Sequence, residues 1–305
     1  TIPVSLANIR SELLPGLFDV RGSYDMIPRQ WDKVFKTHKS SMSVERSTQM
    51  AFVSLPYLKD EGAATQFDNN AGERFTWAFV HIEVALGYAI TRKSIDDNLY
   101  KAQFNPTNLK LQEAFAQFKE IQAANIFNTG TTYNAQQVGD GVAFFSTAHP
   151  YDGGTWANTS ATPKSLNEST LLANMTNVRT QFVNERGMRI LSRARRLVVP
   201  PNLEAIAIRL TKTELRPGTA DNDVNAILSL SGGLPEGFIV LDFLTSNFAW
   251  FLTTNIEGLI HMLRIPYESD MWVDNVTDNL LVKSYERYSF GINDPRCAWG
   301  ETPTA

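Results

Sequence analysis

Residues 105–130 read NPTNLKLQEAFAQFKEIQAANIFNTG, and how this stretch folds decides the rest. Asn105 supplies a cap and Pro106 a first helical turn. Leu111, Ala114, Phe115, Phe118 and Ile121 then recur at helical spacing, and Gly130 supplies a stop. Lys110, Glu113, Gln117 and Glu120 take the opposite face, so one side of the helix is expected to be buried and the other to meet water or a neighbouring chain. Alternating segments precede it and shorter helices and strands follow, which makes it the spine of an α+β protein.

Upstream of the helix the period changes from 3.6 to 2. Val80, Ile82, Val84, Leu86, Tyr88 and Ile90 alternate with Phe79, His81, Glu83, Ala85, Gly87 and Ala89, predicting a long strand. An earlier extended run, Met42 to Leu58, is expected to pair with it antiparallel, leaving residues 60–73 as a polar, glycine-bearing tip. A two-stranded ribbon is marginally stable alone in water, so this one is expected to project and pack on a neighbouring molecule; a hairpin inside an ordinary sheet fits the pattern equally well. On a projecting ribbon Phe67, Phe75, Trp77 and Phe79 would be interface anchors, whereas in a monomer Phe75, Trp77 and Phe79 would be core. Residues 1–40 read as an arm. Leu6, Ile9 and Leu13 fit a short helix stopped by Pro15-Gly16, and Trp31, Val34 and Phe35 form a second apolar cluster that must pack on its own body or on another subunit, where Trp31 and Phe35 would be interface anchors. Ser94-Ile95-Asp96-Asp97 is expected to cap a short lead-in to the spine.

Downstream, residues 131–164 have little periodicity, and a loop this long is characteristically functional or interfacial. Ser165-Leu166-Asn167-Glu168 has capping-box spacing and opens a helix with Leu171, Met175, Val178 and Phe182 on one side. A strand at Arg196–Val199 turns at Pro200-Pro201-Asn202 into a helix carrying Leu203, Ile206, Ala207 and Leu210. Residues 216–223 form a turn-rich loop. Strands are expected at 238–243, 250–253, 259–263, 271–274 and 280–290. No solenoid-length repeat or low-complexity linker interrupts the chain.

Composition narrows the function. The chain has 305 residues, 43% of them apolar, enough for a substantial core. A net charge of -4 argues against a surface that grips nucleic acid. The single cysteine, Cys297, excludes an intrachain disulfide framework. The N-terminal residues carry neither a basic region nor an apolar run, so no secretion signal is expected, and polar residues interrupt the apolar stretch 238–263, which is not a membrane span.

No chemistry-bearing motif is complete. His38, His81, His149 and His261 are scattered, without zinc-ligand spacing. Ser146, His149 and Asp152 invite comparison with a hydrolase triad, but no Gly-x-Ser-x-Gly elbow surrounds Ser146, and His149 is better read as fixing its turn. The glycine pairs do not complete a phosphate-cradling loop. Asp96-Asp97 and Asp221 with Asp223 are read as solvated carboxylates rather than as an ion site. The run Arg186, Arg189, Arg193, Arg195, Arg196 faces either a polyanion or solvent. The expectation is therefore no catalysis, no cofactor and no metal.

Three stretches in this order resemble major capsid proteins of tailed bacteriophages, in particular the Mu-like major head subunit group. They are Phe144-Phe145-Ser146-Thr147-Ala148-His149-Pro150 with Gly153-Gly154-Thr155-Trp156-Ala157-Asn158; Leu197-Val198-Val199-Pro200-Pro201-Asn202-Leu203-Glu204; and residues 217–225. The resemblance covers most of the chain and implies the Hong Kong 97-type capsid fold. The implied division is an N-terminal arm at 1–40, an extended loop at 41–92, a peripheral domain at 93–164 with closing strands at 278–305, and an axial domain at 165–277. It implies self-assembly into pentamers and hexamers of an icosahedral shell enclosing double-stranded DNA, assembled in a host cytoplasm with scaffolding, portal and decoration proteins as partners. No separable scaffolding extension is visible, so that role would fall to another protein or to a removed propeptide. Lys59 lies near the ribbon tip, and nothing marks it for crosslinking. The alternatives are an encapsulin-like nanocompartment shell, a tail or baseplate component, and, from another class, a hydrolase using Ser146 and His149.

Overall fold

The computed structural model describes residues 24–68, 72–97, 100–213, 225–229 and 233–303, with backbone alone at 100–106. The expected helix through Leu6, Ile9 and Leu13 and the loop at 216–223 lie outside the described residues. In chain order the elements are β1 (Lys36–Lys39), β2 (Val44–Met50), β3 (Glu73–Val80), β4 (Ile82–Ile90), α1 (Arg92–Asp96), α2 (Tyr100–Asn128), β5 (Val138–Gly139), β6 (His149–Tyr151), β7 (Gly154–Trp156), α3 (Glu168–Gln181), β8 (Ala194–Val199), α4 (Glu204–Lys212), α5 (Ala226–Ser229), β9 (Phe238–Val240), β10 (Trp250–Thr254), β11 (Leu259–Val273), β12 (Leu280–Ile292) and β13 (Ala298–Glu301). The chain divides into two compact units, one of 1–43, 81–123 and 261–290, the other of 44–80, 124–260 and 291–305. This division cuts across the ranges expected from sequence. Residues 124–164 group with 165–260, 261–277 group with the spine helix, and 291–305 leave it.

The first unit is a sheet of order β1-β11-β12-β4 with α2 as its helix. The long run read from 79 to 90 is two strands, broken at His81. There the ring nitrogens of His81 bond Ser40 Oγ at 2.8 Å and Ser289 Oγ at 3.1 Å. The start of that run pairs antiparallel with the segment 42–58 as expected, Val80 with Val44 and Phe79 with Glu45, but β4 pairs antiparallel with β12, from Leu280↔Ile90 to Tyr288↔Ile82. The reason is burial: Val84 and Tyr88 point at a cluster of Tyr24, Leu111, Phe115 and Tyr267. The two strands expected at 259–263 and 271–274 are one, β11.

The spine helix starts earlier than Asn105, and its inward stripe keeps Leu111 and Phe115 of the expected face but is rotated away from Ala114 and Phe118. Its backbone is helical from Tyr100, with Pro106 inside it. Ala114 and Phe118 are exposed, while Asn108, Leu111, Gln112, Phe115, Lys119 and Ala123 are buried. Polar residues can occupy the inward stripe because partners meet them. Tyr88 donates to Asn108 Oδ1 at 2.6 Å, and Lys119 Nζ donates to Glu286 Oε2 at 2.6 Å. Burial lowers the affinity of Lys119 for its proton and raises that of Glu286, and each partner works against the other's shift. The lead-in α1 is capped by Thr91, whose hydroxyl accepts from Ser94 N, rather than by Ser94. Residues 24–40 pack on their own unit. Glu120 accepts from the backbone N–H of Gln30 and Trp31 at 2.7 and 3.1 Å, the Trp31 ring lies 4.4 Å from His261, and Phe35 meets Phe290 edge-on at 5.0 Å.

The second unit is built on a sheet of order β13-β10-β8-β9. β8 and β9 run parallel, from Leu197↔Phe238 to Val199↔Val240, and the crossover between them contains α4. Helix α3 is capped by Asn167 and Thr170, two residues beyond the expected Ser165, and lays Leu171, Val178 and Phe182 on Leu197, Trp250 and Trp299. The end of α2 brings Phe127 against Phe144, Phe145 and Phe251. A smaller sheet of order β2-β3-β5 and the β6–β7 hairpin complete the unit.

Candidate assembly surface

β2 and β3 pair antiparallel from Val44↔Val80 to Met50↔Glu73, and between them the chain leaves regular structure. Residues 51–68 are irregular and almost entirely exposed. Met50, Phe52, Val53, Leu55, Tyr57, Leu58 and Phe67 all stand in solvent, with Leu55 72%, Phe67 85% and Leu58 fully exposed. The segment closes on itself. Tyr57 hydroxyl donates to Ala64 O and accepts from Gln66 N, both at 2.9 Å, and Asp68 Oδ2 accepts from Ser54 N at 2.6 Å and Ser54 Oγ at 3.0 Å. So many large apolar side chains on one short segment mark an interaction surface, because a soluble monomer gains nothing by displaying them.

The structure separates the six anchors expected from sequence. Phe67 is on this surface. Trp31, Phe35, Trp77 and Phe79 are not, since none is more than 5% exposed and each is buried within its own unit. Glycines make room for two of them: a Cβ on Gly139, which has φ +65°, would fall 2.1 Å from the Trp77 ring, and one on Gly291 would fall 2.8 Å from Phe79. Phe75 is half-buried under the Arg74 guanidinium, 5.4 Å from its centroid. Sequence reasoning missed Phe52, Val53, Leu55 and Leu58 by reading 42–58 as one strand. Pro56, a poor strand residue, was the available signal.

A polar lattice holds the root of the segment. Gln49 donates to Glu185 Oε1 at 2.6 Å, Arg296 Nη2 donates to the same oxygen at 3.0 Å, and Arg74 pairs with Asp152 at 2.6 Å. The basic run is largely committed within the chain. Arg195 and Arg196 both pair with Glu236, at 2.8 and 3.0 Å, and Arg186 reaches Ser54 and Asp68.

Ser146, His149 and Asp152 do not converge. His149 is fully buried and stacks on Trp156 at 4.5 Å. Its Nδ1 lies 2.6 Å from Asp140 and its Nε2 3.1 Å from Asn158 Oδ1. Asn158 is the hub of the loop: its amide donates to Phe144 O at 2.7 Å and Pro295 O at 3.0 Å, and its side-chain oxygen accepts from Ser146 N at 2.9 Å. Ser146 Oγ accepts from Ala148 N, and Asp152 is held by Arg74. The 140–158 loop is thus folded around a buried polar hub, and Asn158 entered the sequence reading as the last residue of a resemblance-bearing stretch, with no role assigned to it. Among the described residues no group of three or more His, Cys, Asp or Glu is placed to hold a metal, and no helix is long and apolar enough to cross a membrane. Asp96 pairs with Arg92, and Asp221 and Asp223 lie outside the described residues.

A family model described as phage capsid protein matches residues 81–299. A search of curated protein sequences returns no match. Among solved structures, the virus-like particle from Pyrococcus furiosus is similar with a TM-score of 0.56 at 10% identity, over 95% of this chain and 99% of that one. The bacteriophage PhiM1 mature capsid is similar with a TM-score of 0.56 at 10% identity, over 92% and 88%. The bacteriophage JBD30 procapsid is similar with a TM-score of 0.53 at 12% identity, over 99% and 77%.

Proposed function

Since the chain belongs to the phage capsid protein family, we propose that many copies close into an icosahedral shell of pentamers and hexamers around double-stranded DNA. The fold is the Hong Kong 97 type, and the protein is a major capsid protein. The observation that carries the assembly reading is the exposed apolar segment 50–58 with Phe67, a surface that another copy would cover. The unit holding the spine helix corresponds in this reading to the peripheral domain, and the β13-β10-β8-β9 sheet with α3 and α4 to the axial domain. The contents are not gripped: net charge is -4, and the arginines nearest to a cluster pair with Glu236, Asp68 and Glu185. Assembly in a host cytoplasm, with scaffolding, portal and decoration proteins, belongs to the same reading, as does the absence of catalysis.

Light scattering and negative-stain microscopy of the purified chain test it. Closed particles of tens of nanometres are expected, and the variant Phe52→Ser/Leu55→Ser/Leu58→Ser should remain folded and dispersed. A monodisperse monomer at every concentration, or open tubes, would defeat the proposal. Particles recovered from cells should contain nucleic acid; particles loaded with protein instead would move the assignment to a nanocompartment shell.

A further inference from the structure

Arg186 ties the exposed segment to its own body, and the tie is built. Residues 183–189 form a tight hairpin with Val183 bridged to Arg189. Asn184 Oδ1 accepts from Arg186 N and Met188 N, both at 3.0 Å, and Gly187 takes φ +76° with the Tyr151 ring packed where a Cβ would stand. That turn is anchored on both sides: Asp152 N donates to Glu185 O at 2.8 Å, and Arg296 holds the Glu185 carboxylate. Its tip presents Arg186. Nη1 donates to Ser54 Oγ at 2.7 Å, and Nη2 lies 2.8 Å from Asp68 Oδ2, a charge contact with poor hydrogen-bond alignment. Asp68 in turn gathers Ser54 N and Oγ, so the two ends of the segment and the guanidinium meet at one point. Arg186 and Asp68 side chains are 20% and 17% exposed, well below the range of a freely solvated surface pair.

We infer that Arg186 is a positioning residue for assembly: its clasp on Ser54 and Asp68 fixes the direction in which residues 50–58 present their apolar side chains to the next copy. The inference rests on the assembly reading above. The physical case is entropic. A segment of this length with no strand pairing of its own would otherwise sample many directions, and docking would have to order it; a clasp already closed in the free subunit removes that cost before subunits meet.

The test uses the full chain before and during assembly. In unassembled protein, Arg186→Gln and Asp68→Asn should each raise the rate of limited proteolysis within 51–66 by about threefold or more, since local opening sets that rate. The global unfolding midpoint should stay near that of wild type. Arg186→Lys should recover part of the protection that Arg186→Gln loses. In assembly followed by light scattering, Arg186→Gln and Asp68→Asn should lengthen the lag, and Arg186→Lys should lengthen it less than Arg186→Gln does. Wild-type cleavage rates in both single variants would overturn the clasp whatever happens to assembly. Faster cleavage with unchanged assembly would overturn its positioning role. Should Arg186→Gln fail to fold, Asp68→Asn, on the exposed segment, still decides the matter. Failure of wild type itself to form particles would strike the assembly reading and leave the cleavage result standing.

Discussion

Lys119 and Glu286 are where single side chains have most leverage. The pair is nearly dry, 7% and 0% exposed, at 2.6 Å, with the Tyr24 and Tyr288 rings around the ammonium group. Removing one partner leaves a bare charge, so Glu286→Gln or Lys119→Met should cost about 3–5 kcal/mol in urea unfolding of the unassembled chain, whereas Lys119→Met/Glu286→Leu should recover most of that loss. Additive losses in the double variant would show that the pair is not coupled. His261 gives a pH signature in the same unit. Burial first, then Lys119 and Arg29, push it down from 6.5 to about 3, so it is neutral when folded. The unfolded chain takes up a proton near pH 6.5 that the folded chain refuses until about 3. The stability due to neutral His261 is therefore complete above 6.5, falls by up to about 1.4 kcal/mol per pH unit below it, and levels near 3. Glu286, raised by burial, runs in the opposite sense and costs stability as pH rises, so the difference between wild type and His261→Phe isolates the histidine. That difference should grow in favour of the variant from pH 6 to pH 4; a constant difference refutes the assignment. Glycines set another constraint. The Phe145 ring packs against Gly130 on one edge and Gly300 on the other, with Cβ positions 2.5 and 2.6 Å from its atoms, so Gly300→Ala should cost about 1–3 kcal/mol by overpacking.

At the scale of elements, the sequence was most legible where burial was apolar. Leu171, Met175 and Val178 in α3, Phe182 just past its end, and Leu203, Ala207 and Leu210 around α4 lie inward at the spacing read from the sequence. The spine helix was legible and its start was not, and its face was read in part: Leu111 and Phe115 are buried as expected, but the inward stripe also takes in the polar Gln112 and Lys119, while Ala114 and Phe118 face out. Strand pairing was illegible for a related reason. β4 carries the alternation of a half-buried strand, but its partner β12 lies some two hundred positions downstream, and alternation names no partner. Of the exposed apolar side chains, Phe67 stands in solvent at the tip where the sequence put it; Phe52, Val53, Leu55 and Leu58 were hidden by reading an irregular apolar segment as a strand. The start of α2 offers a direct check. Position 106 falls seven residues into the helix, where proline lacks the N–H that would bond to the carbonyl of Ala102. Pro106→Ala should therefore stabilise the chain by about 1–3 kcal/mol in thermal or urea unfolding. No gain would mean that the helix in solution begins at Pro106, as the sequence pattern alone suggested.

For the whole molecule, two opposing forces govern whether copies join. Each copy carries a net charge of -4, so copies repel, and a closed shell gathers many of them. Against this stands the apolar segment, with Leu55, Leu58 and Phe67 almost wholly in water. Both forces respond to solution conditions in known directions. Added salt screens the repulsion, with a Debye length of about 10 Å at 0.1 M, and leaves apolar contact intact. Cooling weakens apolar association. If apolar burial by the loop drives closure, light scattering at fixed protein concentration should show assembly increasing with salt and decreasing as temperature drops from about 25 °C to about 4 °C, while a dye that binds exposed apolar surface should fluoresce with free subunits and lose signal as particles form. The Phe52→Ser/Leu55→Ser/Leu58→Ser variant should lose both the dye signal and the temperature dependence. Assembly that is suppressed by salt and strengthened by cold would mean that ionic contacts hold the shell, and the exposed loop would then need a different partner.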